Sequence, residues 1–314
     1  MKSPIQEKIM IPLINGKKYQ SGSATLTVGT DLFQMNSASH FINDPEKLKS
    51  LLLEQGYLYF PGFYTADEMS IVKAEIADHL ASKGLLKDDK SPLCLEPKES
   101  FQKSYLFKTE EFGLLPNYIK LVESKKIMSQ MKLLLDAEIF TYPYKWLRAV
   151  NKEAATGIHY DIVYMGRGTD QVLTCWTAID DTSAEKGGLL MGSNFQNTNS
   201  LKETYGKVDV DRDQLNSGWF TTNPREINQH FGGTWHTSNF GAGDIVIFGM
   251  YQLHGSLRNE SNQLRITCDT RYQRASEPKD ERWANKIPLL HNSSGQTKIE
   301  DLKKSWALSS HTNS

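Results

Sequence analysis

Apolar positions recur along this chain with two different periods, helical in the first half and alternating in the second. Asp44-Pro45, followed by Leu48, Leu51, Leu52 and a closing Gly56, predicts a helix with an N-cap, a proline at its first position and a glycine stop. Tyr57 to Phe60 reads as a strand ended by Pro61-Gly62. Thr65 and Glu68 fit a capping box, and Met69, Val72, Ile76 and Leu80 follow on one helical face. His79 lies beside that stripe and is expected at the surface or boundary. Lys87 to Ser100 is expected as loop. A further helix is expected from about Asn117 to Leu135, with Ile119, Val122, Ile127, Met131, Leu134 and Leu135 on its inner side.

After Asp136 short β-branched and aromatic runs take over: 139–149, 157–165, 171–179, 189–191, 244–251 and 264–272. Gly, Asn, Asp and Ser clusters separate them, which predicts strands joined by turns. Helices first and strands second, without βαβ alternation, predict an α+β protein with an antiparallel sandwich or barrel. Residues 1–40 are expected as an N-terminal extension, 41–275 as a single domain and 276–314 as a C-terminal tail. The polar stretch at about 194–240 is expected as an insert, a lid or an elaborated loop. No internal repeat is present.

The chain has 314 residues, 39% of them hydrophobic and 10% aromatic, ample material for a packed core. Its 36 basic and 37 acidic residues leave a net charge of −1, so no nucleic-acid partner is expected. The apolar runs fall short of the roughly 20 residues that cross a bilayer, and the N-terminal residues lack the apolar region of a secretory signal. A cytoplasmic protein without a membrane partner is therefore expected. Cys94, Cys175 and Cys268 are odd in number and lack CxxC spacing, which points to reduced thiols.

Chemistry enters with His159-Tyr160-Asp161, read as part of a strand in which residues i and i+2 share a face. His254, after the run Ile245 to Phe248, is placed to supply a third ligand. Two histidines and one carboxylate form the facial triad of non-haem Fe(II) oxygenases, which leaves coordination positions open. Arg265 stands in the alternating run Leu264 to Tyr272. A guanidinium directed into a barrel needs an anion, and a carboxylate is its natural mate. A structural ion pair with Asp269 or another acid is the plain alternative. Arg271 shares the face of Arg265, so spacing alone does not choose between the two arginines.

These pieces occur in the order found in the phytanoyl-CoA dioxygenase-like family of Fe(II)/2-oxoglutarate oxygenases, which the sequence resembles over roughly residues 44–275. The motifs are His159-x-Asp161, Trp176-Thr-Ala-Ile-Asp180, Gly187-Gly188, His254-Gly-Ser256 and Arg265. The resemblance implies a double-stranded β-helix, a jelly-roll or cupin-like barrel, with the N-terminal helices packed on its outside. It implies Fe(II) on His159, Asp161 and His254, with 2-oxoglutarate and O2 as co-substrates. Arg265 and Ser256 would hold the far carboxylate of 2-oxoglutarate. Trp176 would line that pocket, and Lys103 and Arg148 would approach it. Where the family usually reads Gly-Ser-His, this chain has Gly192-Ser193-Asn194. Related halogenases replace the iron-binding carboxylate with a small residue, whereas Asp161 is retained.

The activity implied is oxidation of a C–H bond of a small organic substrate, by hydroxylation, desaturation or cyclisation, with release of succinate and CO2. Trp235, His236, Asn194 and Phe231 are the candidate substrate contacts, and His230 in the same stretch reads equally as a loop histidine. Two alternatives stand beside this reading. One is a non-catalytic metal- or small-molecule-binding barrel; the other is a zinc hydrolase, which leaves Arg265 and Ser256 without a purpose. Neither the substrate nor the oligomeric state is legible.

Overall fold

The computed structural model describes residues 11–87, 95–195, 198–285, 291, 295–304 and 306. The strands are β1 Lys18–Ser21, β2 Ala24–Thr27, β3 Leu32–Gln34, β4 Tyr57–Phe60, β5 Ser104–Leu106, β6 Ile139–Thr141 and β7 Trp146–Val150, followed by β8 Leu173–Ala178, β9 Leu189–Phe195, β10 Gly232–Thr237, β11 Ile245–Gly249, β12 His254–Ser256 and β13 Arg265–Arg274. The helices are α1 Pro45–Gln55, α2 Ala66–Ser82, α3 Pro116–Val122, α4 Lys125–Leu135, α5 Ile162–Met165, α6 Asn199–Glu203, α7 Pro224–Phe231, α8 Glu281–Ala284 and α9 Ile299–Lys303.

Two sheets face each other as an open jelly roll. The larger runs β4-β11-β8-β13-β7-β5, with β6 pairing the far end of β13. The smaller runs β12-β9-β10-β3, and β1 and β2 form a separate hairpin. Because side chains alternate across a strand, each large-sheet strand divides its residues between two environments. Leu58, Phe60, Cys175, Ile245, Ile247, Ile266, Cys268 and Leu147 face outward into the main core, where Met69, Val72, Ile76, Tyr118, Ile127 and Met131 of the N-terminal helices cover them. Tyr57, Tyr59, Val246, Phe248, Trp176 and Ala178 face inward and meet Leu189 and Met191 of the small sheet. Further along the same inner face, β13 and β7 turn polar: Arg265, Thr267, Asp269 and Arg271 lie on one side of β13, with Arg148 beside them on β7.

The N-terminal half follows the sequence expectation closely. Asp44 caps α1 by accepting from the Lys47 amide at 3.0 Å, and Gly56 ends it in the left-handed region at φ 85°. Thr65 and Glu68 close the capping box of α2 with reciprocal bonds of 3.2 and 2.7 Å. Four expectations need correction. The helix expected over 117–135 is two, α3 and α4, because Ser124 takes the extended conformation of an N-cap between them. His79 is buried rather than peripheral, its Nε2 2.9 Å from Glu111 Oε1. The run 139–149 breaks around Pro143 into β6 and β7. Finally, the stretch at about 194–240 is more than an insert: it ends in β10, an interior strand of the small sheet paired with both β9 and β3. The stretch 1–40 likewise contributes β3 to that sheet.

Cys175 and Cys268 are free and buried, and burial pushes the Cys268 thiol up to about 12. Cys94 lies outside the described residues. No helix among the described residues is long and apolar enough to cross a membrane.

Candidate functional site

His159 and His254 meet as a directly opposed antiparallel pair, each backbone amide donating to the other's carbonyl, at 2.9 and 3.1 Å. Such a pair sends both side chains to one face, and the imidazole centroids lie 4.1 Å apart. Asp161 arrives differently from the strand geometry expected for it. The backbone turns at Tyr160, and Asp161 takes a helical conformation as the cap of α5. That turn still brings its Oδ1 to 3.8 Å from the Nε2 of each histidine. The three ligand atoms lie within 4.8 Å of one another, and all three residues are buried.

The hydrogen bonds around the triad decide what it can hold. His159 Nδ1 lies 2.9 Å from the Gly157 carbonyl, and His254 Nδ1 lies 2.9 Å from the Gln252 carbonyl. A carbonyl only accepts, so each Nδ1 carries a proton, and Nε2 is the atom left to offer a lone pair to the centre when the ring is neutral. Burial and the neighbouring His254 push the His159 imidazole down to about 3, so it is neutral at physiological pH. Burial opposes ionisation of Asp161, but Arg271 and the two imidazoles overcome it and hold the carboxyl well below the usual range. Thr174 donates to Asp161 Oδ2 at 2.6 Å and Arg271 Nη2 to Oδ1 at 2.9 Å. Two lone pairs and a carboxylate oxygen thus converge in a buried site, an arrangement that suits a divalent cation, and this donor set suits iron.

β13 carries two of the three arginines that line the cavity, and β7 carries the third, Arg148. Arg265 is 4% exposed, and its Nη1 donates to the carbonyl of Gly187. Its Nε has no hydrogen-bond partner among the described residues, and no acidic side chain there pairs with it. Asp269, the expected structural mate, is held by Arg148 instead. Burial and the nearby Arg148 push Arg265 down to about 10. Its carbonyl partner depends on a tight turn. Gly187 has φ +84°, and a Cβ there would meet Leu257 O and Asn259 N at 2.9 Å. Ser256, two residues past His254 on β12, lines the same cavity, as do Trp176 and Arg148.

The other expected residues lie elsewhere. Lys103 is exposed just before β5 and does not line this cavity. The pairing places it opposite Asn151, an odd number of residues from Arg148, so the two point to opposite faces. Trp235 is fully buried in the small-sheet core, its indole N–H donating to Asn228 Oδ1 at 2.6 Å. Phe231 is buried at the end of α7, Asn194 is exposed with φ 57°, and His230 is exposed. His236 does face the interior, in register through Met191 with His254. It belongs to a separate polar group: Nδ1 lies 2.8 Å from the Tyr57 hydroxyl and Nε2 3.0 Å from Thr234 Oγ1. The residues missed in the sequence are Thr174 and Tyr164. Thr174 was recoverable, since it shares the face of Trp176 two positions on; Tyr164, whose ring lies 5.6 Å from that of His159, follows a turn that carried no signal.

A jelly roll with a buried two-histidine, one-carboxylate site between its sheets defines a protein of the non-haem iron oxygenase class. The family described as phytanoyl-CoA dioxygenase (PhyH) matches residues 52–267, and the chain belongs to that family. No curated protein matches the sequence. Similar solved structures share the fold at low identity. The epimerase SnoN from nogalamycin biosynthesis, in complex with Fe3+, alpha ketoglutarate and nogalamycin RO, is 18% identical over 78% of this chain and 87% of its own, with a TM-score of 0.53. EctD from S. alaskensis, with 2-oxoglutarate and 5-hydroxyectoine, is 14% identical over 94% of both chains, with a TM-score of 0.53. The carbocyclase SnoK from nogalamycin biosynthesis is 16% identical over 76% of this chain and 87% of its own, with a TM-score of 0.52.

Proposed function

We propose that this protein is an Fe(II)/2-oxoglutarate-dependent dioxygenase that oxidises a C–H bond of a small organic metabolite and releases succinate and CO2. The observation that carries the reading is Arg265: a buried guanidinium without an acidic partner among the described residues, opening onto the same cavity as three convergent metal donors. A non-catalytic barrel has no use for that uncompensated charge, and a zinc hydrolase would need the triad but not the arginine.

In this reading His159, Asp161 and His254 hold the iron, which together with 2-oxoglutarate and O2 supplies the oxidising power. The chain's own groups set the geometry. The Gly157 and Gln252 carbonyls fix the tautomer and ring orientation of the two histidines, and Thr174 and Arg271 fix the aspartate. Arg265 and Ser256 take the far carboxylate of 2-oxoglutarate. Trp176 and Leu189 give the cavity an apolar wall, and displacement of water from it on substrate binding would strengthen the charge interactions inside. Substrate orientation above the metal decides between hydroxylation and desaturation or cyclisation.

The test is conversion of 2-oxoglutarate by anaerobically purified, metal-free protein after addition of single metals and then air. Succinate formation that requires Fe(II) and O2, and is absent with Zn(II), supports the assignment. Turnover restored by Zn(II) alone, with 2-oxoglutarate left intact, refutes it.

A further inference from the structure

Arg271 stays underused after the triad and the co-substrate anchor are assigned. Its side chain is 5% exposed and lines the metal cavity. Nη2 bonds Asp161, and the guanidinium carbon lies 3.9 Å from the centroid of Trp146, which covers one face. Both Nε and Nη1 are buried without a hydrogen-bond partner among the described residues. A guanidinium keeps its charge at any physiological pH and has no acceptor of its own, so two buried donor groups without a partner among the described residues call for an anion from outside.

The charge count points the same way. Arg148, Arg265 and Arg271 line the cavity against Asp161 and Asp269, an excess of one positive charge among these side chains, to which imidazoles bound to a metal add none. A ferrous ion and doubly charged 2-oxoglutarate cancel each other, so loading the site leaves that excess in place. Arg148 does not need the missing anion, because it is held by Asp269 and is 34% exposed to water. Arg265 and Arg271 are six residues apart on one face of β13. Their Cα atoms are therefore about 20 Å apart along the strand, and they reach the cavity from opposite ends. Far-carboxylate binding at Arg265 thus leaves the Arg271 end of the cavity to the substrate.

We propose that the substrate carries a single carboxylate and that the free donors of Arg271 bind it, orienting the carbon skeleton above the metal. The inference rests on the oxygenase reading for its charge count. A monoanion closes that count, whereas a phosphate dianion would overshoot it.

The experiment is calorimetry on zinc-loaded protein with saturating 2-oxoglutarate, which assembles the site without turnover. The 2-oxoglutarate titration comes first, so that failure of the oxygenase reading is seen by itself; in that case the comparison below is made on metal-loaded protein alone. The probes are short alkyl and aryl monocarboxylates such as hexanoate and phenylacetate, each paired with its primary amide. The carboxylates should bind about 10- to 100-fold more tightly than their amides, the difference a charge-assisted hydrogen bond makes. Arg271→Lys, which keeps a cation beside Asp161 but loses the guanidinium's additional donors, should erase that preference, and zinc content and 2-oxoglutarate affinity measured on the same variant separate this loss from any change at Asp161, which Arg271 also holds. Equal binding of acids and amides, or no acid binding at all, overturns the proposal. An equal fall in 2-oxoglutarate and carboxylate affinity in Arg271→Lys also overturns it, by assigning the free donors to the co-substrate.

Discussion

Replacing Arg265 with leucine separates a ligand-binding charge from a structural one, because the two predict stability changes of opposite sign. Among the described residues the guanidinium bonds the Gly187 carbonyl and forms no ion pair, with Asp269, which Arg148 holds, the acid that attracts it from a distance. Losing that bond costs about 1 kcal/mol. Removing an uncompensated buried charge returns at least as much, since its desolvation costs several kcal/mol. The ligand-free Tm of Arg265→Leu should therefore hold or rise. With 2-oxoglutarate the sign reverses. The far carboxylate would enter a buried site without its partner, a loss of roughly 3–5 kcal/mol, which weakens Kd by roughly 100- to 5,000-fold. Calorimetry of 2-oxoglutarate on zinc-loaded wild type and variant, with melting curves for each, measures both quantities. A Kd change below about tenfold, or a clear fall in the ligand-free Tm, would refute the argument and send the search to another group.

The remaining predictions concern the metal, the core and pH. His254→Ala should lose stoichiometric iron or zinc while keeping the wild-type far-ultraviolet circular dichroism; metal analysis after dialysis decides, and full occupancy in the variant would count against the triad. Trp235→Ala removes a fully buried indole from the small sheet and should lower stability by roughly 3–5 kcal/mol in urea unfolding. A cost below about 1 kcal/mol would show that the indole does not anchor the core and would restore Trp235 as a candidate substrate contact. Burial pushes His236 down to about 4 from its ordinary 6.5. The unfolded chain then takes up a proton that the folded one refuses, so this residue's contribution is intact above about pH 6.5 and fades as pH falls toward 4. From pH 7 to pH 5 the wild type should lose about 2 kcal/mol more than His236→Gln; parallel pH profiles would show that the imidazole titrates normally in the fold.

Local signals in the chain were strong where a residue's neighbours in sequence are also its partners. The caps of α1 and α2 are of this kind: Asp44 reaches the amide of Lys47, and Thr65 that of Glu68. The alternation of β13 was equally legible, and with it the shared face of Arg265 and Arg271. Which arginine is committed elsewhere was not, because that depends on Asp161, 110 residues away, and on the reach of Arg148 to Asp269. β10 was hidden for a different reason. Strand patterns are recognised by apolar residues turned inward, but here His236 and Thr234 fill the interior with a hydrogen-bonded polar group, so the stretch reads as loop. The HxD motif named two residues that do converge with His254, but for an inexact reason. The side chains converge through a turn at Tyr160 and a cross-strand pair at His159, not through the repeat of one strand.

The short strand β3 gives the first forty residues a mechanical role. It pairs parallel to the outer side of β10, and bonds from Trp235 N to Asp31 O and from Met35 N to Thr237 O fasten its two ends. A shortened protein beginning near residue 41 would bare the flank of β10 at Trp235–Thr237, a row of unpaired amides and carbonyls of the kind that recruits strands from other molecules. Trimming what looks like a dispensable leader would thus convert a protected edge into a sticky one, with association that grows with protein concentration. The damage would also travel inward, because the order β3-β10-β9-β12 puts that edge two ladders from His254, in series with a proposed metal ligand.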